Sequence, residues 1–513
     1  MSIYHKRILS AVTAVALFAA VLCVTAFTGT AFASSEPSIS QNSAAVEKGK
    51  TVKITVKSPN AKVKWKTSDK NIAYVKTIKG KNDRIAVVKA GKKAGVCKVT
   101  AKVGNRKLTC RVIRLSASAK DLTATVKAEK AERLGAGSKF KRAAADFSFE
   151  LLRKTVEADS EKGKSVNTLI SPDSIQSALM MAENGAKGKT LTEMQDVLSG
   201  GISADDYNKY LYSMNRRLTS SGSIRYSVAN SIWTRTGGIK IKKSFLKKNK
   251  TYHDAQIFSA RFNSKTVNDM NNWVSANTEG MIKKIISRLD PDDQVVLINA
   301  IAFIGNWEEK FPDPVKRTFT TDSGTAKKTS TLCQIDHMDY MQVNGGKGFV
   351  KYYKGREIAF VGLLPPEGVS ADEYLEGLSG KEFISAWKSK TNKRLDVTVP
   401  QFKYDYDASM TGPLKKMGMT KAFGEKANFT GMFVKSLTTP GMHIDDVIHK
   451  THIELDKNGT KAAAATAVIM KASSAYIEEE VIEVHLDRPF VYALVDAKTG
   501  VPLFTGIFRN TTN

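Results

Sequence analysis

Between Gly459 and Thr466 the chain reads Gly-Thr-Lys-Ala-Ala-Ala-Ala-Thr, and this segment restricts the fold more than any other. Alanine is the best helix former, so propensity alone makes a helix of Lys461 to Tyr476. The residues that follow oppose it. Val468-Ile469 is β-leaning, Ser473-Ser474 is a break, and Glu478 to Glu480 is a solvated charge run. Val484 to Asp496 and Pro502 to Gly506 then read as paired strands with a turn at Thr499-Gly500. An alanine-rich segment therefore stands between strand patterns, closed by a proline-bounded strand pair.

At 513 residues the chain is too long for one ordinary core, so two domains are expected. Its 42% hydrophobic and 25% charged residues are those of a globular protein and exclude general disorder. Residues 1–33 read as a signal peptide: His5-Lys6-Arg7 is the positive flank, Ile8 to Phe27 the apolar run, and Ala31-Phe32-Ala33 the cleavage site. Export is expected, to the extracellular space or the cell surface, with an uncleaved anchor as the alternative because the apolar run is long.

The net charge of +29 is uneven: from Ser34 to Lys120 there are 22 Lys and Arg against 4 Asp and Glu, 22 − 4 = +18. For an exported protein this favours contact with cell-wall polymers or acidic glycans, with a merely solvated basic surface as the plain alternative. No nucleic-acid partner is expected.

Residues 34–116 carry short alternating strands, among them Thr51 to Lys57, Val63 to Thr67 and Val96 to Val103, which argue a small β-sandwich. Ala61 to Ser68, Ile72 to Val75, Ala90-Gly91 and Ala94 to Ala101 resemble the bacterial Ig-like modules of group 2. That resemblance implies display or adhesion. A turn near Gly104-Asn105 sets Cys97 opposite Val112, hence diagonal to Cys110. A small register shift is needed for a Cys97–Cys110 disulfide, which export permits. Cys333 reads as unpaired. Residues 117–139 read as a polar linker with a partly helical stretch from Lys127 to Arg133.

Residues 140–513 read as one large α/β domain. Arg142 to Thr155 is an amphipathic helix, and Ser171 with Pro172 caps the next one. Asn167 to Leu179, Ala229 to Trp233, Val267 to Gly280, Val295 to Trp307, Ile358 to Pro365, Val397 to Phe402, Leu414 to Phe423 and Val447 to Leu455 follow in order. Together with the alanine-rich segment they resemble the serpin family over nearly the whole domain. The fold class implied is multidomain, an all-β Ig-like sandwich followed by an α/β serpin domain with a large mixed sheet and an exposed reactive loop.

The resemblance assigns roles. Gly459, Thr460, Lys461, Ala462, Ala463, Ala464, Ala465 and Thr466 form the loop hinge, whose small side chains suit passage between strands. Asn167, Ser171, Pro172, Asn299, Trp307 and His449 belong to the region where the sheet opens. The implied activity is that of a suicide inhibitor: a serine protease cuts the loop, the freed arm inserts, and the acyl-enzyme is trapped in a 1:1 covalent complex. The bait bond stays open. Family spacing points to Ser473-Ser474, and counting back from Pro489 points near Glu478. Side-chain chemistry adds Lys471-Ala472, Ala472-Ser473 and Tyr476-Ile477. Small and mixed residues favour an elastase- or subtilisin-like target, with chymotrypsin- and trypsin-like ones open. The alternative function is an adhesion or binding protein whose serpin domain is inert, against which stands the lack of proline or bulk in the hinge.

One departure is visible. Many members place a glutamate two residues before the hinge glycine, paired with a basic residue on a neighbouring strand, where this chain has Lys457 and Gln401. The loss is expected to ease sheet opening or to force a local substitute. Gly188-Lys189-Thr190 lacks the earlier glycine of a phosphate loop, since Glu183 stands there. His449 and His452 are three apart in a strand and point to opposite faces, which argues against shared metal ligation. No His-Glu-x-x-His, Gly-x-Ser-x-Gly or cysteine quartet occurs, so neither an enzyme nor a metal or cofactor site is expected.

Overall fold

The computed structural model describes residues 37–57, 62–77, 84–237, 240–434, 442–460 and 480–511. Residues 1–33, expected from sequence to be a leader, lie outside them, as do Lys461 to Thr466 and every bait-bond candidate: Lys471, Ala472, Ser473, Ser474, Tyr476 and Glu478.

The N-terminal strands are β1 (Ser38–Ile39), β2 (Ser43–Val46), β3 (Thr51–Lys57), β4 (Val63–Thr67), β5 (Ala73–Thr77), β6 (Ile85–Ala90), β7 (Gly95–Val103) and β8 (Arg106–Arg114). They make two four-stranded sheets, ordered β1-β3-β6-β5 and β2-β8-β7-β4. Alternation sends Ile54, Ala86 and Val88 of one sheet and Val99, Cys110 and Val112 of the other into one apolar cluster. The hairpin turn at Gly104-Asn105 pairs Cys97 with Val112 and Val99 with Cys110. Both thiols are buried and free, so the disulfide envisaged from sequence does not form. The turn fixes a register that leaves the cysteines on a diagonal, beyond ordinary bridging distance.

The remaining strands are β9 (Ala119–Asp121), β10 (Thr168–Ile170), β11 (Arg225–Arg235), β12 (Gln256–Ala260), β13 (Val295–Asn306), β14 (Val315–Thr320), β15 (Ala326–Val343), β16 (Gly346–Tyr352), β17 (Ile358–Leu364), β18 (Thr391–Pro400), β19 (Phe402–Ser409), β20 (Ile448–Asp456), β21 (Gly459–Thr460), β22 (Ile482–His485), β23 (Phe490–Asp496) and β24 (Pro502–Phe508). The helices are α1 (Ser138–Ser160), α2 (Pro172–Glu183), α3 (Gly188–Ser199), α4 (Ala204–Thr219), α5 (Lys243–His253), α6 (Ser264–Asn277), α7 (Ala371–Glu376), α8 (Gly380–Ser389) and α9 (Thr411–Lys416). One sheet has seven strands, β19-β20-β21-β13-β11-β12-β9, and the other has nine, β10-β24-β23-β17-β16-β15-β18-β22 with β14 paired to β15. Every residue of β23 and β24 is buried. Helix α2 is buried along its whole length because it runs through the main core. Its start follows the sequence: Ser171 accepts a bond from the Ser174 N–H, and Pro172 occupies a first-turn position where no N–H is needed.

Residues 117–139 are no free linker. Strand β9 extends the seven-stranded sheet by pairing Ala119 with Ala260 and Asp121 with Phe258. Lys127 to Arg133, expected to be partly helical, is irregular. Tertiary partners explain the difference: the Glu129 N–H donates to Thr251 Oγ1 (3.0 Å), and Glu132 pairs with Lys209 (2.7 Å). Just upstream, Ile113 and Leu115 join Trp233, Phe258, Met270 and Trp273 in a second apolar cluster, which seats the N-terminal unit against α6. Asp269 of α6 accepts from the Ser116 N–H (2.9 Å) and from its hydroxyl (2.5 Å).

Candidate functional site

Strands β13 and β20 run parallel to each other, and among the described residues the one parallel bridge beside them joins Leu297 of β13 to Val447, the residue just before β20. At their far ends β21 lies between them, antiparallel to both. Thr460 pairs with Gly305 and Leu455, and Gly459 with Asn306 and Asp456. The hinge therefore enters the sheet at its first two residues.

The local sequence builds this entry. Asp456 Oδ1 accepts from the N–H groups of Asn458 (2.7 Å) and Gly459 (3.1 Å), an Asx-type turn that reverses the chain. Gly459 has φ +149°, and a Cβ there would lie 2.0 Å from the Gly305 carbonyl oxygen and 2.7 Å from Asn306 Cα. Only glycine fits. The Trp307 indole donates to the Asp456 carbonyl (2.9 Å), and its ring stacks on Tyr353 with centroids 4.3 Å apart. The Tyr353 hydroxyl meets Thr460 Oγ1 at 2.6 Å in a buried contact. One aromatic pair thus holds both the turn and the first buried residue of the loop.

Further along the same strands, both sides of the entry are tied to the start of α2. On β20, His449 Nε2 accepts the Ser171 N–H (3.0 Å). On β13, Asn299 accepts from the Ser174 hydroxyl and donates to Asn230 of β11 (2.6 Å). Ser171 also donates through its hydroxyl to the Leu503 carbonyl (2.8 Å). Burial drives the His449 pKa down to about 3, so the ring is neutral and its second nitrogen carries the proton. Asp173, one position on from Pro172, is pushed up to about 6 by burial, against which the Tyr226 hydroxyl donates to it (2.6 Å).

Ser171, Pro172, Asn299 and His449 thus meet at one helix end, and Trp307 sits at the entry with Gly459 and Thr460. Asn167 lies apart: its side chain receives the Arg509 and Asn510 N–H groups (2.7 and 2.9 Å) and fastens the last residues of the chain. Lys457 pairs with Asp313, a local substitute for the missing glutamate pair, while Gln401 accepts from Ser330 (2.9 Å). Tyr353, Ser174, Asn230 and Asp456 escaped the sequence reading. The Asp-x-Asn-Gly order at 456–459 carried a turn signal for Asp456. The other three have no local signal, because their partners lie tens of residues away or more. His452 points away from His449 and toward Asp405 (2.6 Å). No group of three His, Cys, Asp or Glu suited to a metal occurs among the described residues.

The comparisons agree with this geometry. The family described as Serpin (serine protease inhibitor) matches residues 142–511. An uncharacterised serpin-like protein of Thermococcus kodakarensis is 30% identical over 375 residues, covering 71% of this chain and 84% of its own. The crystal structure of the thermophilic serpin tengpin in its native state is 36% identical with a TM-score of 0.71, covering 77% of this chain and 100% of that one. The latent state of tengpin is 34% identical with a TM-score of 0.64, covering 74% and 100%. An ordered match of this length, around a hinge that enters between two parallel strands, places the chain in the serpin family.

Proposed function

We propose that this chain is a secreted serine protease inhibitor that works by inserting its cleaved loop and trapping the protease as a covalent complex. The carrying observation is the entry of Gly459-Thr460 between β13 and β20, beside which the described residues hold one further bridge, Leu297 with Val447 just before β20. Extending the pairing of Thr460 with Gly305 and Leu455 by six residues brings Thr466 opposite Asn299 and His449. The alanine run is then the stretch that joins the entry to the Ser171 end of α2.

Alternation fixes the facing. Ala462, Ala464 and Thr466 follow Thr460 toward the core, while Lys461, Ala463 and Ala465 face the opposite side. A charge at an inward position costs several kcal/mol, so alanines suit that path and Lys461 is placed where its charge is tolerated. An inserted strand of about fifteen residues carries a tethered protease roughly 50 Å. The protease supplies the nucleophile that forms the acyl-enzyme, and the inhibitor supplies the bond and the stored free energy.

The leader supports export, and the two-sheet N-terminal unit is read as an Ig-like module through which the inhibitor contacts acidic surface polymers. Incubation with elastase, subtilisin, chymotrypsin and trypsin tests the inhibitory reading. A complex that survives SDS is expected with an elastase- or subtilisin-like enzyme, and mass spectrometry of the released peptide identifies the bait bond. Clean turnover of the loop by every enzyme would leave an inert serpin domain on a binding protein.

A further inference from the structure

The outward face of the β2-β8-β7-β4 sheet is divided between two environments. At one end Ala45, Ile113 and Val96 lie in one cross-strand row against the apolar cluster of α6. In the next row Arg111 pairs with Glu279 (3.9 Å) and Ser43 donates to Asn277 (2.5 Å). Beyond these the face is cationic. Lys98 stands in the Arg111 row itself; past it come Lys66 opposite Thr100 opposite Thr109, and then Lys64, Lys102 and Lys107 directly opposite one another across β4, β7 and β8. All five lysines are exposed, and the alternate residues of β7, Val99, Ala101 and Val103, are buried.

Like charges directly opposite in antiparallel strands destabilise the pairing. Lysine on an exposed edge strand guards against edge-to-edge association, which accounts for Lys64 and Lys66 on β4. It also covers Lys107, on the stretch of β8 that extends past its partner β2, but not Lys102 on β7, which is flanked by Lys64 on one side and Lys107 on the other. None of the five forms an ion pair among the described residues. The unit's described acids are engaged elsewhere: Glu47 accepts from the Asp121 N–H (2.9 Å) and Asp69 from the Asn71 N–H (2.8 Å).

We propose that this lysine-threonine face is a docking surface for a linear acidic polysaccharide. This deepens the surface-contact part of the proposed function and is independent of protease trapping. The rows present point charges about 5 Å apart across strands and roughly 7 Å apart along them, with hydroxyls of Thr100 and Thr109 between. Such a grid suits carboxylates and sugar hydroxyls along an extended polymer. Base recognition on single strands uses aromatic platforms, and the one aromatic ring on β4, Trp65, packs with the interior clusters. A membrane-surface site needs exposed apolar side chains beside the cations, and these rows have none.

The test is binding of the full chain to fluorescently labelled polygalacturonate across a salt series. The probe variant is Lys64→Gln, Lys102→Gln and Lys107→Gln together. The control, Lys53→Gln, Lys57→Gln and Lys89→Gln, makes the same charge change on the other sheet. The probe variant is expected to bind about tenfold or more weakly with a shallower salt dependence, and the control within about twofold of the unaltered chain. Relief of the like-charge row is expected to raise the melting temperature of the probe variant, which also shows that it folds. Equal losses in both variants would reduce the surface to bulk charge and overturn the proposal. So would the absence of polygalacturonate binding at low salt, or tighter binding to an oligothymidylate or to phosphatidylglycerol vesicles. Protease trapping by both variants is measured alongside and reports only on the inhibitory reading.

Discussion

Gly459 is fixed by two backbones at once, since its own φ of +149° and the Gly305 carbonyl both exclude a side chain. Gly459→Ala is expected to push the chain out from between β13 and β20 and to cost about 1–3 kcal/mol, seen as a lower thermal midpoint together with loss of stable protease complexes. His449 sets a pH limit. Folding holds its pKa near 3 against an ordinary 6.5, so the unfolded chain binds a proton that the folded one refuses. The stability contributed by this site is complete above about pH 6.5 and is lost as pH falls toward about 3. His449→Gln, whose carbonyl still accepts the Ser171 N–H, is expected to flatten that part of the acid limb in melting experiments. An unchanged acid limb would shift the cause to other groups.

At the scale of elements, the facing of the hinge is testable by parity. Ala464→Glu places a charge on the inward side of an inserted strand and is expected to convert the inhibitor into a substrate, cut but not trapping. Ala463→Glu, one residue away on the opposite side, is expected to keep most of the trapping, and similar losses in both would refute the register. Helix α6 provides a separate check. Burial raises the Asp269 pKa while the two bonds from Ser116 oppose the rise. Ser116→Ala removes one of those bonds and is expected to cost about 1–3 kcal/mol, read as faster hydrogen exchange in α6 and β9. The strand alternation of Thr51 to Lys57 and the cap at Ser171-Pro172 were legible because their signals are local. The irregular course of Lys127 to Arg133 was not legible: the segment has helical propensity, but its backbone and charges are taken by Thr251 and Lys209, far along the chain.

For the whole molecule, the proposal requires that the intact fold is not the most stable arrangement of the chain. Cutting the loop with a protease that is not trapped is expected to raise the melting temperature by about 10 °C or more, as a new central strand buries its backbone bonds. A cleaved form that melts no higher would remove the source of energy for trapping. The N-terminal unit enters the same balance, because β9 is an edge strand of the seven-stranded sheet and Ile113 and Leu115 fill a cluster with Trp273 of α6.

The sequence alone determined what short-range chemistry can carry: the order of strands and helices, the glycine at the hinge, the run of methyl side chains, and the concentration of lysine in the first domain. It also suggested that Ser171, Asn299, Trp307 and His449 share a region, through resemblance rather than through spacing. Tertiary structure decided which of them touch. It placed Asn167 with the C-terminus, supplied Tyr353 as the partner of Thr460, kept Cys97 and Cys110 apart, and turned a linker into a strand. The reason is physical. A cap, a turn or an alternation is settled among neighbours, whereas a hydrogen bond between residues 107 positions apart is settled only when the sheets close around them.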